Sequence, residues 1–492
     1  MGGRVRKRLC IVHLHIASQK RNQPMQIIQR LIIVLALATL MPWTLPVHAQ
    51  SSDAVVGSWQ GQLEAGGTEL RVLFHIEQED DSLFATMDSP DQGVTGIAVP
   101  EVHVQDDRLM FDVPEINGEY VGTMTNAETI EGSWTQSGQS FPLTLTPTDE
   151  STSEAPERPQ HPEPPYPYVE EEVRFPNAED DFTLAGTLTY PEDEGPHPAV
   201  VLVSGSGPQD RNSELMGHRL FHVLADHLTR QGIAVLRYDE RGVGESEGPS
   251  FPASTTEAYA RDAASAARFL KEHSRVDAER VGLIGLSEGG LVGPMVHTQH
   301  EPLAFLVMMA GPAVPGRDIL VEQTALMAEA QGASASAVDS MRTTQQRMLN
   351  AAQSTPDSAA VADTLRTLFE AQGVPEEQRE TQIERLTTPW FTFFLKYDPQ
   401  PVLTQLDIPV LALFGSKDLQ VPPEQNAEIM RNALGESASP NATVEVIDGL
   451  NHLFQPADTG AFSEYSQIET TMAPKALQRV SGWIRGQAEE QQ

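Results

Sequence analysis

Gly285-Leu286-Ser287-Glu288-Gly289 is followed by another glycine, Gly290, and preceded by the apolar run Val281-Gly282-Leu283-Ile284. The pattern is G-x-S-x-G between a strand-like and a helix-like segment. A serine at its centre sits on a turn so sharp that its hydroxyl stands clear of the backbone, and only small residues fit two positions to either side. A free serine hydroxyl is a poor nucleophile and needs an adjacent base. Downstream, Asp418 comes just after the apolar run Ile408–Phe414, and His452 after Val444-Glu445-Val446-Ile447. The order serine, acid, histidine, each following a strand-like run, predicts a triad. Ser287 would be the nucleophile, His452 the base, and Asp418 the group that holds the histidine tautomer. Asp407 and Asp448 are rivals for the acid. Asp407 precedes its strand and Asp448 is close in sequence to His452, so Asp418 is favoured.

Outward from the serine, residues 169–492 read as an α/β unit. Strand candidates are Val169–Phe175, Phe182–Tyr190, Ala199–Ser204, Ile233–Tyr238, Arg280–Leu286, Ala304–Ala310, Ile408–Phe414 and Thr443–Ile447. Amphipathic stretches fall between most of them: Glu214–Arg230, Glu257–His273, Gly289–Gln299, Glu424–Leu434 and, after the last strand, Pro474–Gln487. Such alternation predicts a mostly parallel eight-stranded sheet covered on both faces. The first two strands have only Asn177–Asp181 between them and are expected to pair antiparallel. At about 313–401 the rhythm gives way to Ala-, Gln-, Met- and Thr-rich helical sequence, as in Val321–Gln331 and Val338–Ala352. An insertion after the sixth strand lies over the carboxyl edge of the sheet and reads as a helical cap. It ends in Pro389-Trp390-Phe391-Thr392-Phe393-Phe394, where Trp390, Phe391 and Phe394 are candidate walls of an apolar substrate pocket.

Residues 50–147 read as a separate all-β unit, a small barrel or sandwich. Short alternating runs such as Leu70–Ile76, Leu83–Met87 and Leu109–Val113 are separated by turn residues. Gly57-Ser58-Trp59 near its start recurs as Gly132-Ser133-Trp134 near its end, and the G-x-W opening resembles that of lipocalin-like barrels. The tryptophans are read as core plugs rather than ligand stackers. Residues 148–168, rich in proline, read as a semi-rigid linker. Residues 1–49 carry seven Lys or Arg and no acid, the apolar run Leu31–Met41, and Val47-His48-Ala49 as a small-residue cleavage site. That is the pattern of a signal peptide and implies a secreted or periplasmic protein. Met25 is an alternative start.

The only cysteine, Cys10, lies in this leader, so cleavage would leave a chain without thiol or disulfide. Formal net charge is −36, and removing the seven leader cations takes it to −43. Such a surface repels nucleic acid and anionic membranes. It stays soluble where salt screens its self-repulsion, which predicts a salt-rich habitat. Beyond the leader, no apolar stretch is long enough to cross a bilayer. The scattered histidines offer no metal-ligand motif, Ser204–Gly207 lacks the Lys-Ser/Thr ending of a phosphate-binding loop, and no cofactor is expected. The sequence does not speak to oligomeric state.

Four further segments make a resemblance specific. They are Ser204-Gly205-Ser206-Gly207-Pro208-Gln209-Asp210-Arg211, Asp239-Glu240-Arg241-Gly242-Val243-Gly244-Glu245-Ser246, Gly415-Ser416-Lys417-Asp418 and Gly449-Leu450-Asn451-His452. With the serine turn they give residues 169–487 the look of an α/β-hydrolase superfamily serine hydrolase. It resembles bacterial secreted acyl-ester and thioester hydrolases close to dienelactone hydrolases and serine aminopeptidases. The resemblance implies hydrolysis of a small-molecule ester through an acyl-enzyme, with a peptidase or a thioesterase as alternatives and a non-catalytic binding protein as a third reading. It also implies an oxyanion hole made by the backbone N–H of Glu288 and a donor at Ser206, although Ser204 stands where the family's H-G-x-G pattern has histidine. The Glu288 carboxylate is expected to be an ordinary acid in the first turn of a helix. Asp239, Arg241, Gly242 and Gly244 are expected to be structural.

Overall fold

The structure is a computed structural model that describes residues 55–490 apart from 66–67, 80–81, 91–93, 106, 117, 137–138, 149–157, 355–357 and 372. The leader, with Cys10 and its apolar run, lies outside the described residues, as do residues 149–157 of the proline-rich stretch.

Eight antiparallel strands follow one another in order and close on themselves: β1 (Gly57–Ala65), β2 (Thr68–Glu79), β3 (Ser82–Ser89), β4 (Val94–Gln105), β5 (Arg108–Val113), β6 (Gly118–Asn126), β7 (Thr129–Gln136) and β8 (Gln139–Pro147). Period-two alternation turns Trp59, Phe74, Phe111, Tyr120 and Trp134 inward, and all are buried. The interior of an eight-stranded barrel is just wide enough to be filled by side chains or to hold one small ligand. Here the space is filled by aromatic contacts such as Phe74 on Phe111 at 4.8 Å and Phe111 on Tyr120 at 5.2 Å. The Tyr120 hydroxyl donates to the carbonyls of Ile130 and Leu143, so no polar atom of that ring is left unpaired in the core.

Residues 158–168 are not a free spacer. The Arg158 guanidinium donates to the carbonyls of Ile468, Met216 and Ser466 at 2.9, 3.1 and 2.7 Å. Gln160 exchanges two hydrogen bonds with the Met472 backbone. Proline restricts the unfolded chain here, and these bonds hold the folded segment against the α/β unit.

That unit is built on a mixed eight-stranded sheet. Its strands are β9 (Val169–Asn177), β10 (Phe182–Tyr190), β11 (His197–Val203), β14 (Ala234–Tyr238), β15 (Val276–Leu286), β16 (Leu306–Met309), β17 (Val410–Gly415) and β18 (Ala442–Ile447). The spatial order is β18-β17-β16-β15-β11-β14-β10-β9. Pairing is parallel from β18 through β14, then antiparallel at β14/β10 and at β10/β9. A two-stranded hairpin, β12 (Glu214–Leu215) with β13 (His218–Arg219), replaces the expected start of the first helix. Met216 and Gly217 between them have φ of 51° and 73°, which no right-handed helix accommodates.

Helices cover both faces. The strand β11 shows why: Val200 and Leu202 point to one side, Ala199, Val201 and Val203 to the other. The first set packs under α1 (Leu220–Arg230) and α11 (Pro474–Glu490), the second under α2 (Thr256–Glu272), α3 (Gly289–Met295) and α10 (Pro423–Glu436). Both faces being apolar is what a buried parallel strand requires. Between β16 and β17 the chain forms α4 (Gly316–Ala330), α5 (Ala335–Gln353), α6 (Ser358–Ala371), α7 (Glu376–Leu386), α8 (Pro389–Lys396) and α9 (Gln400–Leu403). Ser334 caps α5 and Thr388 caps α8 through their hydroxyls. Leu349, Leu365, Phe369, Ile383, Phe391 and Leu395 give this insertion a hydrophobic centre of its own.

Candidate active site

Ser287 stands on the turn between β15 and α3 with φ of 53°, a left-handed backbone that a non-glycine residue adopts only under strain. Crowding around the turn explains its glycines. A Cβ at Gly285 would meet the Gly289 carbonyl oxygen at 2.0 Å, and one at Gly289 would meet that of Val203 at 2.3 Å. The turn is thus pressed against the end of β11, and the loop after that strand runs alongside the serine, with Gly205 next to the Ser287 side chain. Among the described residues, the backbone N–H groups of Glu288 and Ser206 have no hydrogen-bond acceptor within the chain. Both flank Ser287.

Asp418 lies beyond β17 and His452 beyond β18, on neighbouring strands of one sheet, so the residues meet despite their separation in sequence. His452 Nδ1 is 2.8 Å from Asp418 Oδ2. The other carboxylate oxygen of Asp418 accepts from the backbone N–H of Gln420 at 2.8 Å and of Val421 at 2.9 Å. With Nδ1–H given to Asp418, Nε2 is the ring nitrogen left to act as a base. The rival acids are engaged elsewhere: Asp407 with His297 at 2.7 Å, Asp448 with the Ser416 hydroxyl at 3.1 Å.

Ser287 and His452 line one cavity of about 230 Å³, together with Ser206, Glu288, Trp390 and Phe394. Of the aromatic residues expected there, Phe391 is absent and packs instead in the centre of the insertion. Helix periodicity is the reason. Trp390 and Phe394 are four residues apart on one face of α8, stacked at 5.4 Å, whereas Phe391 and Leu395 share the face turned inward.

Glu288 departs most from expectation. Its side chain is not a solvated first-turn acid; the residue is 4% exposed. Oε1 accepts from the Thr256 hydroxyl at 2.6 Å, Oε2 from the Ser206 hydroxyl at 2.8 Å, and the Trp390 indole N–H is 3.0 Å from both oxygens. Burial pushes this carboxyl above its usual range, while the three donors draw it back. The signal available in the sequence was positional: an acid next to a nucleophile lies beneath any cap, and a capped acid must find donors. Ser206, expected as an oxyanion donor, also gives its hydroxyl to this carboxylate. Glu240 is a second buried acid nearby, pushed well above its usual range by burial, accepting from the Ser204 hydroxyl at 2.5 Å. Asp239 and Arg241 are structural in their contacts. Asp239 pairs with Arg211, and Arg241 with Asp262 at 2.7 Å. Among the described residues, no group of three or more His, Cys, Asp or Glu side chains is placed to hold a metal ion, and no helix is long and apolar enough to cross a membrane.

The chain is 30% identical over 272 residues to esterase EstD of Thermotoga maritima, a match that spans 55% of this chain and 58% of the esterase. It is 26% identical over 291 residues to an uncharacterized 31.7 kDa protein of Escherichia coli, covering 57% of this chain and 89% of that one. Among solved structures, a Pyrococcus furiosus esterase superposes with a TM-score of 0.40 at 15% identity, over 65% of this chain and 91% of that one. The family model for serine aminopeptidase, S33 (Hydrolase_4) matches residues 200–455, just over half of the chain. The protein therefore belongs to that family of α/β-hydrolase serine hydrolases.

Proposed function

We propose that the protein is a secreted or periplasmic serine hydrolase that cleaves uncharged carboxylic esters through an acyl-enzyme. The observation that carries this reading is the cavity itself. Ser287 and His452 open onto walls formed by Leu215, Ile319, Leu320, Trp390, Phe394 and Val421, among others, with neutral Gln209, Gln323 and Gln420 as polar groups. Among the described residues its only carboxylate is Glu288, whose oxygens already accept from three donors. An aminopeptidase needs an acid free to receive the substrate's ammonium, and Glu288 is not free. A substrate carboxylate or phosphate would find no Lys or Arg on these walls among the described residues. The esterase from Thermotoga maritima is consistent with the same chemistry.

In this mechanism His452 Nε2 takes the Ser287 proton as Oγ attacks the ester carbonyl. Asp418 steadies the imidazolium that forms. The carbonyl oxygen, now negative, accepts from the backbone N–H groups of Glu288 and Ser206. His452 then protonates the departing alkoxide, and a water activated in the same way releases the acid. The leader of residues 1–49 would direct export, and the acidic surface would suit saline surroundings.

The test is a panel of acetyl to hexanoyl chromogenic esters, matching thioesters and aminoacyl anilides. Esters are expected to be cleaved at least ~100-fold faster in kcat/KM than anilides, about 2.7 kcal/mol in the barrier. Equal values on a dipeptide anilide and a butyryl ester would favour the peptidase instead.

A further inference from the structure

Glu288 joins three elements at the site: the loop after β11 through Ser206, the start of α2 through Thr256, and α8 through Trp390. No part of the hydrolytic mechanism uses its carboxylate. Trp390 in turn lines two spaces. One is the cavity over Ser287, of about 230 Å³. The other is a groove of about 510 Å³ bounded by Phe251, Pro252, Arg385 and Thr388, which also shares Ser206 with the cavity. The indole is thus a wall between a small chamber holding the nucleophile and a space more than twice as large.

Trp390 packs against apolar residues of both the sheet and the insertion, contacts that have little directionality. Trp390 stacks on Phe394 and leans on Phe251 at 4.6 Å, contacts that allow an aromatic ring to slide or tilt. Among the described residues, the only hydrogen bond of its side chain is the indole N–H to Glu288. That N–H would be costly to leave without an acceptor at a partly buried site. Glu288 cannot swing away either, since Thr256 and Ser206 hold its oxygens from the other side.

We infer that Glu288 is a positioning residue that pins the Trp390 indole as a partition between the Ser287 cavity and the neighbouring groove, so that the pair limits the length of acyl chain the enzyme accepts. This inference rests on the ester-hydrolase reading and names its specificity determinant. With the partition in place, a short acyl group fills the chamber. With it released, chamber and groove join, and a longer chain finds room past Phe251.

The experiment compares the ratio of kcat/KM on decanoyl and butyryl esters in the wild type and in Glu288→Leu, Glu288→Gln and Trp390→Ala. Glu288→Leu and Trp390→Ala are expected to raise the decanoyl-to-butyryl ratio at least about tenfold. Glu288→Gln keeps an acceptor for the indole and is expected to stay within about threefold of wild type. Equal loss on all chain lengths in Glu288→Leu would overturn the inference, as would a glutamine variant indistinguishable from the leucine one. A second readout does not depend on turnover. The emission of Trp390, taken as the difference from the Trp390→Phe variant, should shift toward that of a solvent-exposed indole in Glu288→Leu and not in Glu288→Gln. An unchanged emission would also overturn it. If the wild type cleaves no ester, the ester reading fails by itself, and the indole emission still decides whether the partition is pinned.

Discussion

Asp418 and His452 share a hydrogen bond of 2.8 Å, and both are nearly sealed from water, at 2% and 5% exposure. The aspartate is held on its other oxygen by two backbone N–H groups, so the acid that bonds the histidine ring is itself anchored to the backbone. Pre-organisation of this kind lets a base act without first reordering its surroundings.

Ser287→Ala should abolish ester turnover while the far-ultraviolet circular dichroism stays that of the wild type. Asp418→Asn should lower kcat by about a thousandfold or more, because an amide favours the wrong histidine tautomer. Asp448→Asn, which alters an acid bonded to Ser416, should stay within about threefold of wild type. Near-normal kcat in Asp418→Asn would remove Asp418 from the triad. A fluorophosphonate probe should label Ser287 alone.

Arg241 and Asp262 form a buried ion pair at 2.7 Å, reinforced by Asn177 on Asp262 and by Asp180 on Arg241. It ties the turn after β14 to α2 and to the β9–β10 turn. Asp262→Ala leaves the guanidinium buried beside a missing partner and should cost about 3–5 kcal/mol. Urea denaturation measures it; a loss below about 1 kcal/mol would mean that Asp180 compensates.

His218 is fully buried, with its ring bonded to Thr471 and the Tyr465 carbonyl, and burial lowers its pKa to about 4 from 6.5. The unfolded chain therefore binds more protons between these values. The stability this residue contributes is whole above about pH 6.5 and is lost as pH falls through about 4. His222, lowered to about 4 by burial and then by Arg237 and Arg219, acts in the same sense. The raised carboxyls of Glu240 and Glu288 act in the opposite sense, so the comparison with His218→Gln isolates the histidine's share. The Tm should fall between pH 7 and pH 5, and the fall should be smaller in His218→Gln. An equal fall in both would assign the acid sensitivity to other groups.

With 69 acidic against 33 basic residues, repulsion among like charges is the dominant long-range term at the surface. Molar salt shortens its reach to ~3 Å. The Tm should rise from low salt to molar NaCl. A flat or falling curve would argue against a saline setting.

Much of this was legible in the sequence because the signals are local. Period-two alternation marks a strand wherever one face is buried, as in the runs of β2, β3 and β5, whereas the central strands of the sheet, buried on both faces, stand out as short apolar runs. The glycines about Ser287 mark a turn that tolerates no Cβ. The order Ser287, Asp418, His452 depends only on where strands end. Helix boundaries were read less well where backbone conformation overrode composition, as at Met216-Gly217, where left-handed residues turn the expected helix start into a hairpin.

The sequence by itself determined an α/β sheet around a serine turn, an all-β unit ahead of it, and the acid and histidine that follow. Tertiary structure alone decided what surrounds them. The all-β unit closed into an eight-stranded barrel because each strand found its neighbour and the last found the first. Phe391 turned away from the site and Trp390 toward it, since helix phase matters only once a second surface is present. The same is true of Glu288. Its neighbours Thr256, Ser206 and Trp390 lie 32, 82 and 102 positions away in the chain, and only the folded packing of a loop and two helices brings their donors to one carboxylate. A residue's burial and partners are properties of the surfaces that enclose it, and those surfaces exist only in the folded chain.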